Sequence, residues 1–304
     1  MTNFRSFASL VLAATIVPAL PAETHCPGNV ASLPFHLVNR HLIVLAVSIN
    51  HTGPYNFQLD TGTQITMIDP SLATGLHLET QGAAIVAGAG SRQSASTAKL
   101  DLLEAGSRSV ANQRVVVYDL QNLQSADLHI QGILGEDFLE HFDMLIDNAH
   151  NLLCLDDTGA MRAGVKGTHI PLVASAEAEN GTVLPDLLII AAHLTGGTRP
   201  VRLMLDSGAN APILYNTSQY MALPQSQTVA VRGSGVDGAQ RIFSALPPQD
   251  LKIGPLELTG VLFFTLAGSQ KDSMAKGFDG VLTTGLFRRV FIDHTEHFAV
   301  LESK

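Results

Sequence analysis

Two aspartates in matching surroundings carry the chemistry this sequence offers. Phe57-Gln58-Leu59-Asp60-Thr61-Gly62 and Leu203-Met204-Leu205-Asp206-Ser207-Gly208 each run an apolar stretch into an aspartate, a hydroxyl residue and a glycine, and the aspartates stand 146 residues apart. An apolar strand ending this way sets a carboxylate at the end of a buried element. The glycine turns the chain tightly and leaves the approach to the carboxylate open. One such turn is a carboxylate in a loop; two brought together form a dyad. Like charges a few ångströms apart do not both ionise easily, so the pair shares a proton. One carboxylate then activates water as general base, and the other protonates or polarises a carbonyl as general acid. That arrangement suits direct hydrolysis of an amide, with no metal, cofactor or covalent intermediate.

The elements that must position these turns also come in pairs. His41–Ile49 and Leu187–Leu194 are apolar runs that precede the two motifs across turns at Asn50–Pro54 and Thr195–Pro200. Downstream, Gly132-Ile133-Leu134-Gly135 recurs as Gly280-Val281-Leu282-Thr283, and Ile146-Asp147 recurs as Ile292-Asp293, at offsets of 148 and 146. Several landmarks at nearly one offset imply an internal duplication into two homologous lobes. The expected division is 23–165 and 166–304, with a Gly-rich connector over Asp156–Thr168. Short alternating segments bounded by Gly, Pro, Asn or Asp predict strands at Ala95–Leu103, Gln113–Tyr118, Leu256–Phe264 and Phe298–Leu301. Asp69-Pro70 predicts a capped short helix, with others at Glu136–His141 and Thr217–Met221. The fold class is therefore all-β with short helices.

With these residues in view, the chain resembles the aspartic peptidases, in particular the bacterial retropepsin-like aspartyl proteases. Leu59-Asp60-Thr61-Gly62 followed by Ile133-Leu134-Gly135 matches that family's catalytic turn and its hydrophobic-hydrophobic-Gly partner. The run Leu33-Pro34-Phe35-His36-Leu37-Val38-Asn39 is also similar to bacterial members, and the resemblance extends over Leu33–Glu302 in two copies. It implies a bilobal acid-protease fold of two β-barrel-like lobes with the active site between them. Asp60 and Asp206 would be the catalytic dyad, Thr61 and Ser207 would lock the two turns together, and Gly62 and Gly208 would complete them. A single chain then supplies what retropepsins obtain by dimerising, so a monomer is sufficient. Two Gly-rich segments, Ala83–Thr97 and Val229–Ala245, are candidate flaps through Gly88, Gly90, Gly233, Gly235 and Gly238, since substrate-covering tips must move. Thr283 departs from the expected glycine, so packing beneath the Asp206 turn is expected to differ. An inactive, peptide-binding relative is the alternative.

Composition narrows the partners. Only 15% of residues are charged and the net charge is −9, which is unsuited to a phosphate backbone, so no nucleic-acid partner is expected. The expected partner is a peptide or unfolded protein. Residues 1–22 read as a secretory signal peptide: Arg5, an uncharged run Phe7–Leu20, then small residues at the cleavage site. A secreted or periplasmic protein follows, without membrane attachment once the leader is removed. The run is too short to span a bilayer. Cys26 and Cys154 either pair in an oxidising compartment or leave Cys154 as a buried thiol; spacing leaves both open.

Other motifs carry less. Asp157-Thr158-Gly159 repeats the tripeptide, but no apolar strand resumes after it, so it reads as a connector turn. Gly233-Ser234-Gly235-Val236-Asp237-Gly238 fits a dinucleotide fingerprint in letters alone, since Pro247-Pro248 follows with no helix between. His294 and His297 lack the companions of a metal site, so a metal-dependent hydrolase is not expected. Asp147 and Asp293 end apolar runs in both lobes and read as structural hydrogen-bonding groups.

Overall fold

The computed structural model describes residues 26–88, 91–124, 128–173, 178–179, 182–195, 197, 199–215, 230–236, 238–266 and 277–304. The expected leader, the expected helix Thr217–Met221 and Gly90 lie outside the described residues. The protein is mostly β, 52% strand against 10% helix, with the helices short. In chain order the first elements are β1 (Ser32–Pro34), β2 (His36–Val38), β3 (Leu42–Ile49), β4 (Thr52–Leu59), β5 (Met67–Ile68), α1 (Pro70–Gly75), β6 (Thr80–Gly88), β7 (Ser91–Lys99), β8 (Leu102–Ala105), β9 (Arg108–Ala111), β10 (Arg114–Val117), β11 (Gly132–Leu134) and α2 (Glu136–Leu139). Then come β12 (Asp143–Asp147), β13 (Leu152–Asp156), α3 (Ala160–Gly164), β14 (Ile170–Pro171), β15 (Ala178–Glu179), β16 (Thr182–Val183), β17 (Ile189–Leu194) and β18 (Val201–Asp206). The last are β19 (Ile213–Leu214), β20 (Ala230–Ser234), β21 (Gln240–Ala245), β22 (Gln249–Ile253), β23 (Leu256–Val261), β24 (Phe264–Leu266), β25 (Gly280–Thr283), β26 (Phe287–Asp293) and β27 (Phe298–Ser303).

Two large curled sheets have the same strand order. The first runs β6-β7-β10-β5-β11-β4-β3-β8-β9, and the second runs β20-β21-β24-β19-β25-β18-β17-β22-β23. In each, the strand that carries the motif pairs in parallel with the later apolar tripeptide: Leu59 opposite Leu134, and Leu205 opposite Leu282. A third, six-stranded sheet, β1-β13-β12-β26-β27-β14, takes strands from both ends of the chain. Its centre pairs Met144 with Ile292 and Asp147 with Arg289. The largest buried cluster, which includes Phe57, Leu59, Phe138, Leu205 and Phe287, is one apolar body spanning both large sheets.

Local chemistry explains the boundaries. Asp69 caps α1 by accepting from the Ser71 amide at 2.8 Å, and Pro70 takes the first helical position. The expected strand Ala95–Leu103 is two strands broken at Leu100-Asp101, and Leu256–Phe264 breaks at Leu262-Phe263. The Asp157-Thr158-Gly159 turn is a connector: Asp156 accepts from Thr158 and from the Met161 amide, and Gly159 sits at φ +75° before α3. Asp147 accepts from the Ala149 and His150 amides and pairs with Arg289, while Asp293 accepts from the Glu296 amide and pairs with Arg162, so both are structural.

The cysteine question is decided by register. β1 lies antiparallel to β13 with Ser32 opposite Cys154, which brings the segment before β1 to that cysteine. Cys26 and Cys154 form a disulfide in a buried cluster with Leu145, Met161 and Phe291. It closes a separation of 128 residues. Replacing both cysteines with serine is expected to lower stability by about 3–5 kcal/mol, most of it through the unfolded chain; equal denaturant midpoints for variant and parent would refute this.

Candidate active site

The two motif strands deliver their turns to one place because each turn is held by the other. The Thr61 hydroxyl donates to the Leu205 carbonyl at 2.9 Å, and the Ser207 hydroxyl donates to the Leu59 carbonyl at 2.9 Å. In return, the Ser207 amide donates to Thr61 Oγ1 at 3.0 Å, and the Thr61 amide donates to Ser207 Oγ at 3.1 Å. All four bonds are buried, where an unmet polar group is expensive. The turns therefore interlock.

Glycine is required at both crossing points. A β-carbon on Gly62 would lie 2.7 Å from Asp206 Cγ, and one on Gly208 would lie 2.5 Å from Asp60 Cγ. Each carboxylate thus lies over the glycine of the opposite turn, and the two sit side by side.

Their hydrogen bonds are not equivalent. Asp60 accepts from the Gly62 amide on Oδ1 and from the Thr63 hydroxyl on Oδ2, both at 2.9 Å. Asp206 accepts from the Gly208 and Ala209 amides, at 2.7 and 3.0 Å, both on Oδ1. Burial raises Asp60 above the usual carboxylate range, opposed by the Thr63 and Gly62 bonds. Burial, then the charge of Asp60, raises Asp206 well above it. Both carboxyls are thus pushed toward their protonated forms, and the pair resists full ionisation. Tyr215, buried close by, has its phenol pushed up by burial and by the Asp206 charge.

The support beneath the turns also differs. In the first half, the Thr66 amide and hydroxyl both donate to Asp137 Oδ1, at 2.8 and 2.6 Å, and the Gly135 amide donates to Thr66 Oγ1. Gly135 has no room for a side chain, since a β-carbon would meet the Thr63 carbonyl oxygen at 2.8 Å. In the second half, Pro212 stands at the position of Thr66 and offers neither an amide hydrogen nor a hydroxyl. Thr283, at the position of Gly135, lies opposite Asp206 and caps the following 3-10 turn by accepting from the Gly285 amide. This is the difference in packing that Thr283 implied.

Both candidate flap segments form hairpins, β6–β7 and β20–β21. Gly88 and Gly233 lie within strands, and Gly235 follows β20. The second hairpin crosses to the first half: Val236 packs against the cluster of Met67, Val86, Val116, Tyr118, Leu120 and Ile133. Gly238, at φ +67°, lies against the Asn122 side chain. Ile85, Val231 and Ile242 leave large apolar surface exposed on the two hairpins. Sequence reasoning missed Thr63, Tyr215 and the buried neighbours Glu136 and His294. Reading one residue past each tripeptide, Thr63 against Ala209, exposes the asymmetry. Among the described residues, no group of three His, Cys, Asp or Glu side chains is placed to hold a metal ion.

A family model described as aspartyl protease matches residues 45–138, from β3 through α2. The match supports an aspartyl protease family, retropepsin-like in kind, and aspartic-type protease activity in general. The second motif lies beyond the matched segment. No curated protein matches the chain in sequence.

Two outcomes follow. Thr61→Val, near in shape but without the hydroxyl, leaves the Leu205 carbonyl and Ser207 amide unmet, and is expected to cost about 2–4 kcal/mol in urea unfolding; a loss near zero would refute the interlock. Asp60, Asp206, Glu136 and Asp137, the last lifted to about 6 by burial, and His294 all bind protons more tightly folded than unfolded. Stability is therefore lost as pH rises through the window above their ordinary values, 3.8–4.5 for the acids and 6.5 for the histidine. Asp147 and Asp156, both lowered, act in the opposite sense and only below 3.8. The thermal midpoint is expected to be higher at about pH 5 than at about pH 8; the reverse order would overturn this.

Proposed function

We propose that this protein is an aspartic-type endopeptidase in which Asp60 and Asp206 act together on one water. The observation that carries the reading is the pair of carboxylates seated over each other's glycines by an interlocked, buried set of hydrogen bonds. Ionised Asp60 takes a proton from water, whose oxygen attacks the peptide carbonyl carbon. Protonated Asp206 donates to the carbonyl oxygen as it gains charge. The tetrahedral intermediate collapses with a proton delivered to the amide nitrogen, and the C–N bond breaks. The dyad is then restored with one shared proton. No cofactor enters this scheme, and one copy of the chain carries both carboxylates.

The substrate is a peptide or an unfolded protein, bound between the two hairpins, whose exposed Ile85, Val231 and Ile242 offer apolar contacts. We read the identical strand order of the two large sheets as an internal duplication, with lobes over 23–165 and 166–304. The disulfide fits an oxidising compartment, and so a secretory leader at residues 1–22.

The test is cleavage of an unfolded protein by residues 23–304 across acid to neutral pH. Asp60→Asn and Asp206→Asn are each expected to lower kcat by about 10²–10⁴-fold or more while leaving the fold intact. A transition-state analogue of amide hydrolysis should block the parent. Rates should fall toward alkali as Asp206 loses its proton. A folded parent silent at every pH and on several substrates would sink the reading in favour of a peptide-binding module.

A further inference from the structure

Beneath the Asp60 turn lies an ionisable pair that the scheme above does not use. Glu136 opens α2, and its side chain is fully buried. Its amide donates to the Thr63 carbonyl at 2.8 Å, and the Thr63 hydroxyl donates to Asp60. Glu136 Oε2 faces His294 Nε2 at 3.1 Å; Oε1 has no hydrogen-bond partner among the described residues. His294 comes from the far end of the chain, in the turn between β26 and β27. Its Nδ1 faces the Phe142 carbonyl at 2.6 Å, so Nδ1 must carry a hydrogen. With Nδ1 committed, the Nε2–Oε2 bond needs a proton of its own. The pair then reads as imidazolium with carboxylate, or imidazole with carboxylic acid.

The matching place in the second half is occupied differently. Asn148 stands 146 residues before His294, and Thr284 stands 148 after Glu136. Asn148 Nδ2 donates to the Thr284 and Phe287 carbonyls at 3.1 and 3.0 Å. The same tie across the six-stranded sheet is thus neutral beneath Asp206 and ionisable beneath Asp60, the carboxylate assigned above as the base.

We propose that Glu136 and His294 are a positioning pair for Asp60: the imidazole fastens the Asp60 turn from the opposite end of the chain, and its cationic form offsets the buried Glu136 carboxylate that would otherwise oppose the Asp60 carboxylate. This rests on the peptidase reading for its consequence in catalysis. The other charges acting on the pair are Glu140, just past α2, and Asp60 on Glu136, and Asp143 from β12 on His294; Asp137 and Asp293 are their chain neighbours. Arg162, from α3, bonds both Asp143 and Asp293, which leaves His294 to offset Glu136. Asp137 is committed to Thr66.

His294→Gln keeps an amide donor and removes the cation in every protonation state, so ionisation of Asp60 becomes harder. The acid limb of kcat/KM is expected to move up by about half to one pH unit, with KM little changed. Asn148→Ala, which removes the neutral tie, should lower stability and leave the limb in place. Equal limbs in His294→Gln and the parent would reduce the pair to a structural tie and overturn the proposal. A second measurement needs neither activity nor a folded His294 variant. The His294 ring is titrated by NMR in the parent and in Asp60→Asn, where loss of the Asp60 charge should shift its midpoint downward, as reciprocal coupling requires. Superimposable curves would overturn the proposal. A downward shift in a protein that cleaves nothing would uphold the coupling and remove the peptidase reading alone.

Discussion

The exchange of hydrogen bonds between Thr61 and Ser207 is the constraint on which the rest of the molecule depends. A hydroxyl that donates to the opposite strand's carbonyl while accepting from the opposite turn's amide uses its full capacity in a buried place. Neither turn is satisfied alone. Both large sheets must therefore present their motif strands at one depth and one spacing, and the six-stranded sheet, drawing strands from both ends of the chain, holds them there. The glycines then become obligatory, because the interlock brings each turn's backbone within contact of the other's carboxylate.

Within that near-symmetric frame, the differences are chemical. Asp60 accepts from the Thr63 hydroxyl where Asp206 accepts from the Ala209 amide. Thr66 and Asp137 brace the first turn; Pro212 and Gly285 stand in their places in the second. Glu136 and His294 face Thr284 and Asn148. Each carboxylate keeps two donors, but the Asp60 side adds a hydroxyl and ionisable groups where the Asp206 side has backbone amides and the neutral Asn148. A symmetric pair of buried carboxylates has no reason to favour one as base. Under the proposed mechanism, the surroundings make the choice before water or substrate arrives.

Much of this frame is legible in the residues, for identifiable reasons. The motif strands declare themselves because a buried parallel strand must be apolar, and the tripeptide must break that pattern with a polar, a hydroxyl and a small residue. Asp69-Pro70 is a local signal and yields α1. The pairing of Cys26 with Cys154 is not local: it follows from the register of β1 on β13, which no spacing reveals. Glu136 and His294 are hidden for the same reason. Each looks ordinary in its own segment, a helix-opening acid and a turn histidine, and their meaning arises only when β12 lies against β26. Gly88 and Gly233 sit inside the strands of their hairpins, because the hairpins run further than glycine content alone implies.

The buried acids explain a tension in the design. Asp60, Asp206, Glu136 and Asp137 are carboxyl groups that burial drives toward their protonated forms. A fold built for stability at neutral pH would replace them with apolar groups of similar size. Keeping them lowers stability where they must ionise, and the loss is offset by a long-range disulfide and a single apolar body beneath both turns. Strain of this kind belongs where chemistry needs it. A proton must be shared between two carboxylates, and only a site that resists full ionisation will share it. Under the proposed mechanism, the polar residues that weaken the core at high pH are the same ones that leave one proton on the pair.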